Sequence, residues 1–199
     1  MLIGVTGQIG AGKSAVCAEF DRLGASLVDA DDFGKQVSGS LAILQKLVKH
    51  FGPTIRSKSG KLRPKALGEI VFGDESGHAL IYLNQVVQPK LHRVLRAEIK
   101  KLRKSAANSA VILDAAILPA WDMINDCDVV ITVVASKAVR LRRLQKRGIS
   151  REVALSRMSA QLSQRAYIAA ADIVIHNDST KRELISRVRR IWRSRISCS

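Results

Sequence analysis

An eight-residue stretch near the N-terminus combines glycine, lysine and serine at a spacing that suits phosphate binding. It matches the pattern G-x-x-x-x-G-K-[ST] at every fixed position and reads, in order, Gly7, Gln8, Ile9, Gly10, Ala11, Gly12, Lys13 and Ser14. Glycines let the backbone turn tightly and approach a ligand closely, so that successive N–H groups converge on phosphate oxygens. In such a loop the Lys13 ammonium reaches the β- and γ-phosphates, and the Ser14 hydroxyl ligates Mg²⁺. The pattern therefore predicts a nucleoside triphosphate site formed by these eight residues.

The flanking residues predict the two elements that such a loop requires. Residues 2–6 form a short apolar run typical of a buried strand, and residues 15–23 carry apolar side chains at helical spacing. A loop between a strand end and a helix N-terminus directs its N–H groups at an anion. The alternative, a glycine-rich turn with a chance Lys-Ser pair, is disfavoured because both flanking elements are visible.

Acidic residues follow two further apolar runs. Asp31 and Asp32 come shortly after a predicted strand at 26–28, and Asp114 ends another at 110–114. Ligands of parallel sheets lie at the carboxyl ends of the strands, so these acids are predicted to face the phosphates. Asp114 is the candidate that holds Mg²⁺ through its water shell. For Asp31 and Asp32 an equally weighted alternative, from this pattern alone, is that one of them caps the following helix.

The alternation of strand and helix patterns predicts an α/β fold, a three-layer P-loop NTPase core with a five-stranded parallel sheet. We expect one domain for the 199 residues. Residues 40–104 read as helices, the longest of them at 77–104 and interrupted near Pro89. This segment is interpreted as a helical insertion that binds the acceptor substrate, with structural packing as the alternative. The remaining predicted strands and helices lie at 128–134, 139–147, 151–164 and 172–175, and after a cap at Ser179 or Thr180.

The composition is strongly basic. Lys and Arg number 33 against 17 Asp and Glu, which gives a net charge of +16. A nucleic-acid binder would place this charge in one stripe, whereas an enzyme for polyanionic substrates would concentrate part of it in a cleft. Only four Phe, two Tyr and two Trp are present, so a stacking platform for single strands is not indicated. We therefore expect no specific nucleic-acid partner.

Three widely spaced cysteines, Cys17, Cys127 and Cys198, form no C-x-x-C motif. Neither a disulfide framework nor a zinc site is indicated, in agreement with a reducing compartment. No run approaches the roughly 18 apolar residues of a membrane span, and the first residues lack the pattern of a signal peptide. The sequence thus predicts a cytoplasmic protein without a membrane partner.

The predicted helix after the fourth strand is rich in arginine. Arg143 and Arg147 are four residues apart and therefore share one face of this helix. We interpret them as residues that close over the transferring phosphates, within a lid region at 140–165. Arg140 and Arg142 are interpreted as part of a solvated basic face.

These elements, in this order, resemble the dephospho-CoA kinase family, from Gly4 to about Val188. The glycine loop alone is shared by many functions. Two segments are more specific, namely Val28-Asp29-Ala30-Asp31 and Ala171-Asp172-Ile173-Val174-Ile175-His176-Asn177. Further matching segments are Leu23-Gly24-Ala25, Phe51-Gly52, Gly60-Lys61-Leu62, Val71-Phe72, Leu83-Asn84, Arg143-Leu144 and Arg157-Met158-Ser159-Ala160-Gln161.

The resemblance implies a kinase that uses ATP and Mg²⁺ to phosphorylate the ribose 3′-hydroxyl of dephospho-CoA. Asp31 matches the acid that accepts the hydroxyl proton, and Asn177 matches a residue near the adenine of ATP. Arg143 and Arg147 match the lid arginines, which together with Lys13 neutralise charge on the transferring group.

Three departures from the family pattern fall mostly on the acceptor side. Gln88 stands where the family usually has a histidine before proline, Ala120 replaces a glutamate, and Pro64 lies where an arginine is displaced. They leave open a P-loop kinase for another small hydroxylated acceptor. The charge of +16 leaves open a third interpretation, a non-catalytic P-loop protein associated with nucleic acid.

Overall fold

The computed structural model describes residues 1–105 and 110–196, and Cys198 lies outside the described residues. The chain divides into two compact units. The core unit comprises Met1–Asp29 and Ile99–Ser199, and the helical unit comprises Ala30–Glu98. The helical unit overlaps most of the segment that the sequence predicted as an acceptor-binding insertion, and that role stays a prediction.

The core unit contains one five-stranded sheet whose strands all run parallel. The order across the sheet is β2-β3-β1-β4-β5, so the strand that precedes the glycine loop lies at the centre. This confirms the predicted α/β fold, and each strand end lies within one residue of its predicted position. The strands are β1 (Leu2–Gly7), β2 (Ser26–Asp29), β3 (Val111–Asp114), β4 (Val129–Val134) and β5 (Ile173–His176).

The helices connect these strands and build the helical unit. In chain order, the α-helices of the described residues are α1 (Lys13–Arg22), α2 (Ala30–Gly39), α3 (Leu41–Phe51), α4 (Pro64–Gly73), α5 (His78–Ser105), α6 (Lys137–Lys146), α7 (Arg151–Ser159), α8 (Gln164–Ala169) and α9 (Lys181–Ile191). Short 3₁₀ turns lie at Pro53–Ile55, Leu118–Ala120 and Asp122–Asp126, and a π-helical turn follows α9 at Trp192–Ile196.

Helices cover both faces of the sheet. On one face, Ile3 and Val5 of β1 share a core cluster with Phe20 of α1 and Val188 of α9. Neighbouring residues of a strand point to opposite faces, so Thr132 of β4 lies on the other side from Ile131. There the Thr132 hydroxyl donates to the carbonyl of Tyr167 in α8 at 3.0 Å. The core unit therefore has three layers, and the glycine loop follows the central strand of the sheet.

Two predicted helix boundaries are wrong. The longest helix is not interrupted near Pro89, since α5 continues through it. Proline removes one backbone N–H and strains the preceding turn, but side chains on both sides of it, Val87 and Leu91, are buried and hold the helix together. The helix predicted at 151–164 ends at Ser159, and a second helix begins at Gln164, where Ser163 caps it by accepting from the N–H of Ala166.

The N-termini of two other helices decide between alternatives. Thr180, not Ser179, caps α9, since its side chain accepts from the N–H of Glu183. The proposed cap at Asp31 or Asp32 is wrong, because α2 begins at Ala30 and both acids lie in its first turn. In that position the carboxylates are favoured by the helix dipole without serving as the cap.

Helix α9 packs on the core through its apolar face. Leu184 and Val188 are buried, while Arg189 and Arg190 are exposed. Arg189 also forms an ion pair with the buried carboxylate of Glu19 in α1, at 2.6 Å. Helix α9 is therefore a packing helix whose arginines face solvent. No α-helix within residues 1–105 and 110–196 is long and apolar enough to cross a membrane.

If α9 is part of the core, truncating its buried face must destabilise the protein. Leu184→Ala, at a side chain only 3% exposed, is expected to lower the free energy of unfolding by about 2–5 kcal/mol. The exposed neighbour Arg182 serves as the control, and Arg182→Ala should change it by less than about 0.5 kcal/mol. Urea denaturation measures both, and equal stability of the two variants would contradict this packing.

Candidate phosphate-binding site

The glycine loop turns back on itself between β1 and α1. The N–H of Ala11 donates to the carbonyl of Gln8 at 3.0 Å, and α1 begins at Lys13. The first N–H groups of a helix have no intrahelical acceptor, and the helix dipole makes this end electropositive. The N–H groups of Lys13 and Ser14 are therefore available to an anion, as the pattern predicted.

The Lys13 ammonium contacts a carboxylate oxygen of Asp114 at the end of β3. Both side chains are largely buried, with 15% and 8% of their surfaces exposed. Asp114 lies opposite Asp29 in the register of β2 and β3. Lys13 and Asp114, both predicted site residues, thus meet at the carboxyl ends of the strands, where ligands of parallel sheets bind.

Cys17 lies against this ion pair and was not predicted as a site residue. Its burial and the nearby Asp114 carboxylate raise the pKa of the thiol well above its usual range. The thiol therefore stays protonated and donates to Asp114. Its position one helical turn after Lys13 was the only available sequence signal.

Two predicted residues bind carbonyl groups of the loop backbone. The Arg143 guanidinium donates to the carbonyls of Gly10, at 3.3 Å, and of Ala11, at 3.1 Å. The buried Asn177 amide also donates to the Ala11 carbonyl, at 2.7 Å, and the Asn177 carbonyl accepts from Arg143 at 2.9 Å. Partial burial lowers the pKa of Arg143, with its charge retained at neutral pH. Arg147 directly follows α6, and its side chain is exposed.

The interpretation of Arg140 as a solvated residue is wrong. Only 4% of it is exposed, and its guanidinium donates to the Ile9 carbonyl at 2.9 Å and to the side-chain oxygen of Gln8. Arg140 lies three residues before Arg143, so helical spacing places both on the face that contacts the loop. The spacing argument used for Arg143 and Arg147 would therefore have found it. Arg142, by contrast, is exposed as predicted.

Two residues beyond α7 also bind the loop and were not predicted. The Ile9 N–H donates to the side-chain oxygen of Gln161 at 2.8 Å. The Gln8 side chain donates to the Leu162 carbonyl at 2.8 Å. The sequence signal was present, because Gln161 belongs to a segment that matched the family, but no role followed from the match.

The remaining predicted residues lie at helix starts. Ser14 is exposed in the first turn of α1, in the core unit. Asp31 is exposed in the first turn of α2, in the helical unit. Mg²⁺ is typically held by one or two protein oxygens together with phosphates and waters. The hydroxyl of Ser14 and the carboxylate of Asp114 are oxygen donors of this kind.

A comparison with family models identifies the family of this chain. The model for dephospho-CoA kinase matches residues 1–183, which include the glycine loop, the helical unit and the arginines of α6. The chain belongs to the dephospho-CoA kinase family. The resemblance inferred from the motifs is thereby confirmed.

Dephospho-CoA kinases are also similar to this chain over nearly its whole length. That of Chlorobaculum tepidum is 35% identical over 99% of this chain and 96% of its own. That of Thermobifida fusca is 33% identical over 96% of this chain and 94% of its own. A crystal structure from Thermus thermophilus superposes with a TM-score of 0.81 at 27% identity, covering 98% and 97% of the two chains. The fold is shared with the shikimate kinase of Acinetobacter baumannii, with a TM-score of 0.51 at 14% identity and coverages of 97% and 93%.

Gly12 lies where the loop is in close contact with Asn177. Its φ of 107° is unfavourable for other residues, and an added Cβ would overlap the Asn177 amide nitrogen. We expect Gly12→Ala to weaken ATP binding by at least about tenfold, because the overlap and a backbone strain of about 1–3 kcal/mol are relieved when the loop leaves this conformation. Isothermal titration with ATP measures the effect.

Gly24 provides a matched control for this substitution. Its φ is 98°, yet no atom lies within 4 Å of an added Cβ. Gly24→Ala should therefore lower the melting temperature while ATP affinity stays unchanged. Equal ATP affinity in the Gly12 and Gly24 variants would contradict the role of the Asn177 contact.

Proposed function

We propose that the protein transfers the γ-phosphoryl group of ATP to the ribose 3′-hydroxyl of dephospho-CoA, giving coenzyme A and ADP. The observation that carries the proposal is the family match over residues 1–183, which includes the phosphate loop and the helical unit together. A phosphate loop alone would support any P-loop kinase. The match across the helical unit supports this acceptor in particular.

The core unit supplies groups suited to the phosphate side of the reaction. Phosphoryl transfer needs little covalent chemistry from the protein, so positioning and charge stabilisation dominate. The N–H groups at the start of α1 and the Lys13 ammonium offer fixed positive charge to the β- and γ-phosphates. Arg143 and Arg147 are proposed to stabilise the transferring group, supported by the position of Arg143 beside Gly10 and Ala11.

Mg²⁺ is proposed to bind at Ser14 and Asp114. When bound, it neutralises charge on the phosphate oxygens. One oxygen of the Asp114 carboxylate accepts a hydrogen bond from the Lys13 ammonium. The second oxygen also carries lone pairs that can bind a cation. Lys13 and Asp114 thereby hold each other in position at the end of β3.

Asp31 is proposed as the group that aligns the 3′-hydroxyl and accepts its proton. It follows Asp29 by two residues, and Asp29 lies beside Asp114 across β2 and β3. The carboxylate is exposed and hence accessible to a hydroxyl of an acceptor. Support also comes from the Val28-Asp29-Ala30-Asp31 segment, which matches the family pattern. Asn177 is proposed to lie near the adenine of ATP, because the segment Ala171–Asn177 also matches the family pattern.

A direct assay tests the reaction. The pure protein with Mg²⁺, ATP and dephospho-CoA is expected to form ADP only when dephospho-CoA is present, and coenzyme A in equal amount. Lys13→Ala should reduce this turnover by about 10²-fold or more, because the variant loses a fixed positive charge beside the negative charge that develops on the transferring phosphoryl group. Chromatography of the nucleotides measures both products.

Lys137, an exposed lysine at the start of α6, is the control for that loss. Lys137→Ala should leave turnover unchanged. An acceptor other than dephospho-CoA that alone supports ADP formation would favour the second interpretation. No turnover, with duplex DNA bound tightly and selectively at physiological salt, would favour the third, because unspecific binding by surface arginines weakens steeply with salt.

Substitution of Asp31 tests the acid–base role. Asp31→Asn keeps the size of the side chain but removes the proton acceptor, so kcat should fall by about 10²- to 10⁴-fold with ATP affinity nearly unchanged. Asp32 is a matched control, since it is exposed in the same helical turn and pairs with Lys35 at 2.7 Å. Asp32→Asn should retain kcat, and a fall of less than about fivefold in Asp31→Asn would exclude the base role.

A further inference from the structure

Arg140 is a buried cation that the reaction described above leaves without a role. Its Nε donates to the Ile9 carbonyl at 2.9 Å, and its Nη1 donates to the side-chain oxygen of Gln8. Its remaining nitrogen, Nη2, is buried without a hydrogen-bond partner. Within the part of the chain that the structure describes, no carboxylate forms an ion pair with Arg140.

Gln8 and Ile9 are also held from the opposite end of the predicted lid region. The Gln8 amide donates to the Leu162 carbonyl, and the Ile9 N–H donates to Gln161, both at 2.8 Å. Arg140 near the start of this region and Gln161 near its end therefore contact the same dipeptide. Both ends of the predicted lid region are therefore attached to the phosphate loop through this dipeptide.

The direction of the Ile9 carbonyl determines the direction of the next N–H. In a planar trans peptide the C=O and the following N–H point in opposite directions. A carbonyl that accepts from Arg140 on the outer side of the loop therefore turns the Gly10 N–H toward the inner side. The same rule applies to the Ala11 carbonyl, which accepts from Asn177, and to the Gly12 N–H.

We propose that Arg140 is a positioning residue for the nucleotide: through the Ile9 carbonyl and the Gln8 side chain it directs the Gly10 N–H at the phosphates and so raises ATP affinity. The proposal rests on the proposed use of ATP, but not on the identity of the acceptor. Arg140 acts from behind the loop and has no direct part in the transfer.

Two properties of Arg140 contribute and are separable. One is its shape, since a planar fork donates to Ile9 and Gln8 at once. The other is its charge, which is buried beside the loop without a carboxylate and adds to the potential that attracts anions. Burial lowers the pKa of Arg140, but an arginine remains charged at neutral pH.

The experiment measures binding of the non-hydrolysable ATP analogue AMP-PNP with Mg²⁺ by titration calorimetry. Arg140→Gln removes the charge and the fork, and we expect the Kd to rise by at least about tenfold, as for the loss of hydrogen bonds to a charged group. Arg140→Lys keeps the charge but not the fork, and its Kd should lie between those of the wild type and Arg140→Gln. Arg142→Gln, two residues away at an exposed position, should change the Kd by less than about twofold.

Kinetics distinguish positioning from general destabilisation. In Arg140→Gln the KM for ATP should rise, while kcat at saturating ATP changes by less than about threefold, because the reacting groups are untouched. A purely structural role would lower the melting temperature without raising the Kd of the folded fraction. Gln8→Ala should also raise the Kd, and the double variant should show less than the sum of the two effects.

An AMP-PNP affinity of folded Arg140→Gln within twofold of the wild type would overturn the proposal. If Arg140→Gln does not fold, Gln8→Ala decides in its place, since it leaves α6 intact, and an unchanged Kd there has the same meaning. AMP-PNP binding requires no acceptor. A wild-type protein that binds AMP-PNP but does not phosphorylate dephospho-CoA would therefore refute the proposed function alone.

Discussion

The site depends on one constraint, the direction of the peptide groups between Ile9 and Gly12. The carbonyls of Ile9 and Ala11 accept hydrogen bonds from the side chains of Arg140 and Asn177. Because a trans peptide places C=O and N–H on opposite sides, the N–H groups of Gly10 and Gly12 point away from these two side chains and into the loop. Side chains that bind the loop carbonyls therefore set the direction of its N–H groups.

The strand order explains why those residues are available. The central strand β1 lies between β3 and β4, and β5 lies beside β4. The segments that follow β4 and β5 therefore carry Arg143 and Asn177 to one side of the loop. Asp114, at the end of β3, meets Lys13 on the other side. Cationic and amide donors bind the backbone on one side, while a carboxylate positions the lysine on the other.

The sequence predicted the sheet and the loop because their signals are local. A buried parallel strand is a short apolar run, and the glycine loop has a fixed spacing, so neither requires knowledge of distant residues. The helix boundaries were less accessible. The continuity of α5 through Pro89 depends on buried side chains on both sides of it, and no local rule reports such burial. The break between α7 and α8 had a local signal, the capping Ser163, that was not used.

Side-chain roles followed the same division between local and distant information. Lys13 was predicted from its place in the motif, whereas the contact of Gln161 with Ile9 joins residues 152 positions apart and has no local pattern. Roles at the acceptor, including that of Asp31, came from resemblance and stay predictions. What a single sequence specifies well is the backbone of the site, because that depends on spacing, and not the side chains that hold it.

Arg140 and Arg142 show why composition could not explain the basic charge. They are the same residue type two positions apart on α6, yet one is 4% exposed and the other faces solvent. Positions two apart on a helix point in nearly opposite directions, so burial differs although the sequence context is shared. The arginines behind the net charge of +16 are therefore of at least two kinds, those buried against the glycine loop and those exposed to solvent. Only their positions in the fold distinguish a basic enzyme for phosphorylated substrates from a protein that binds nucleic acid.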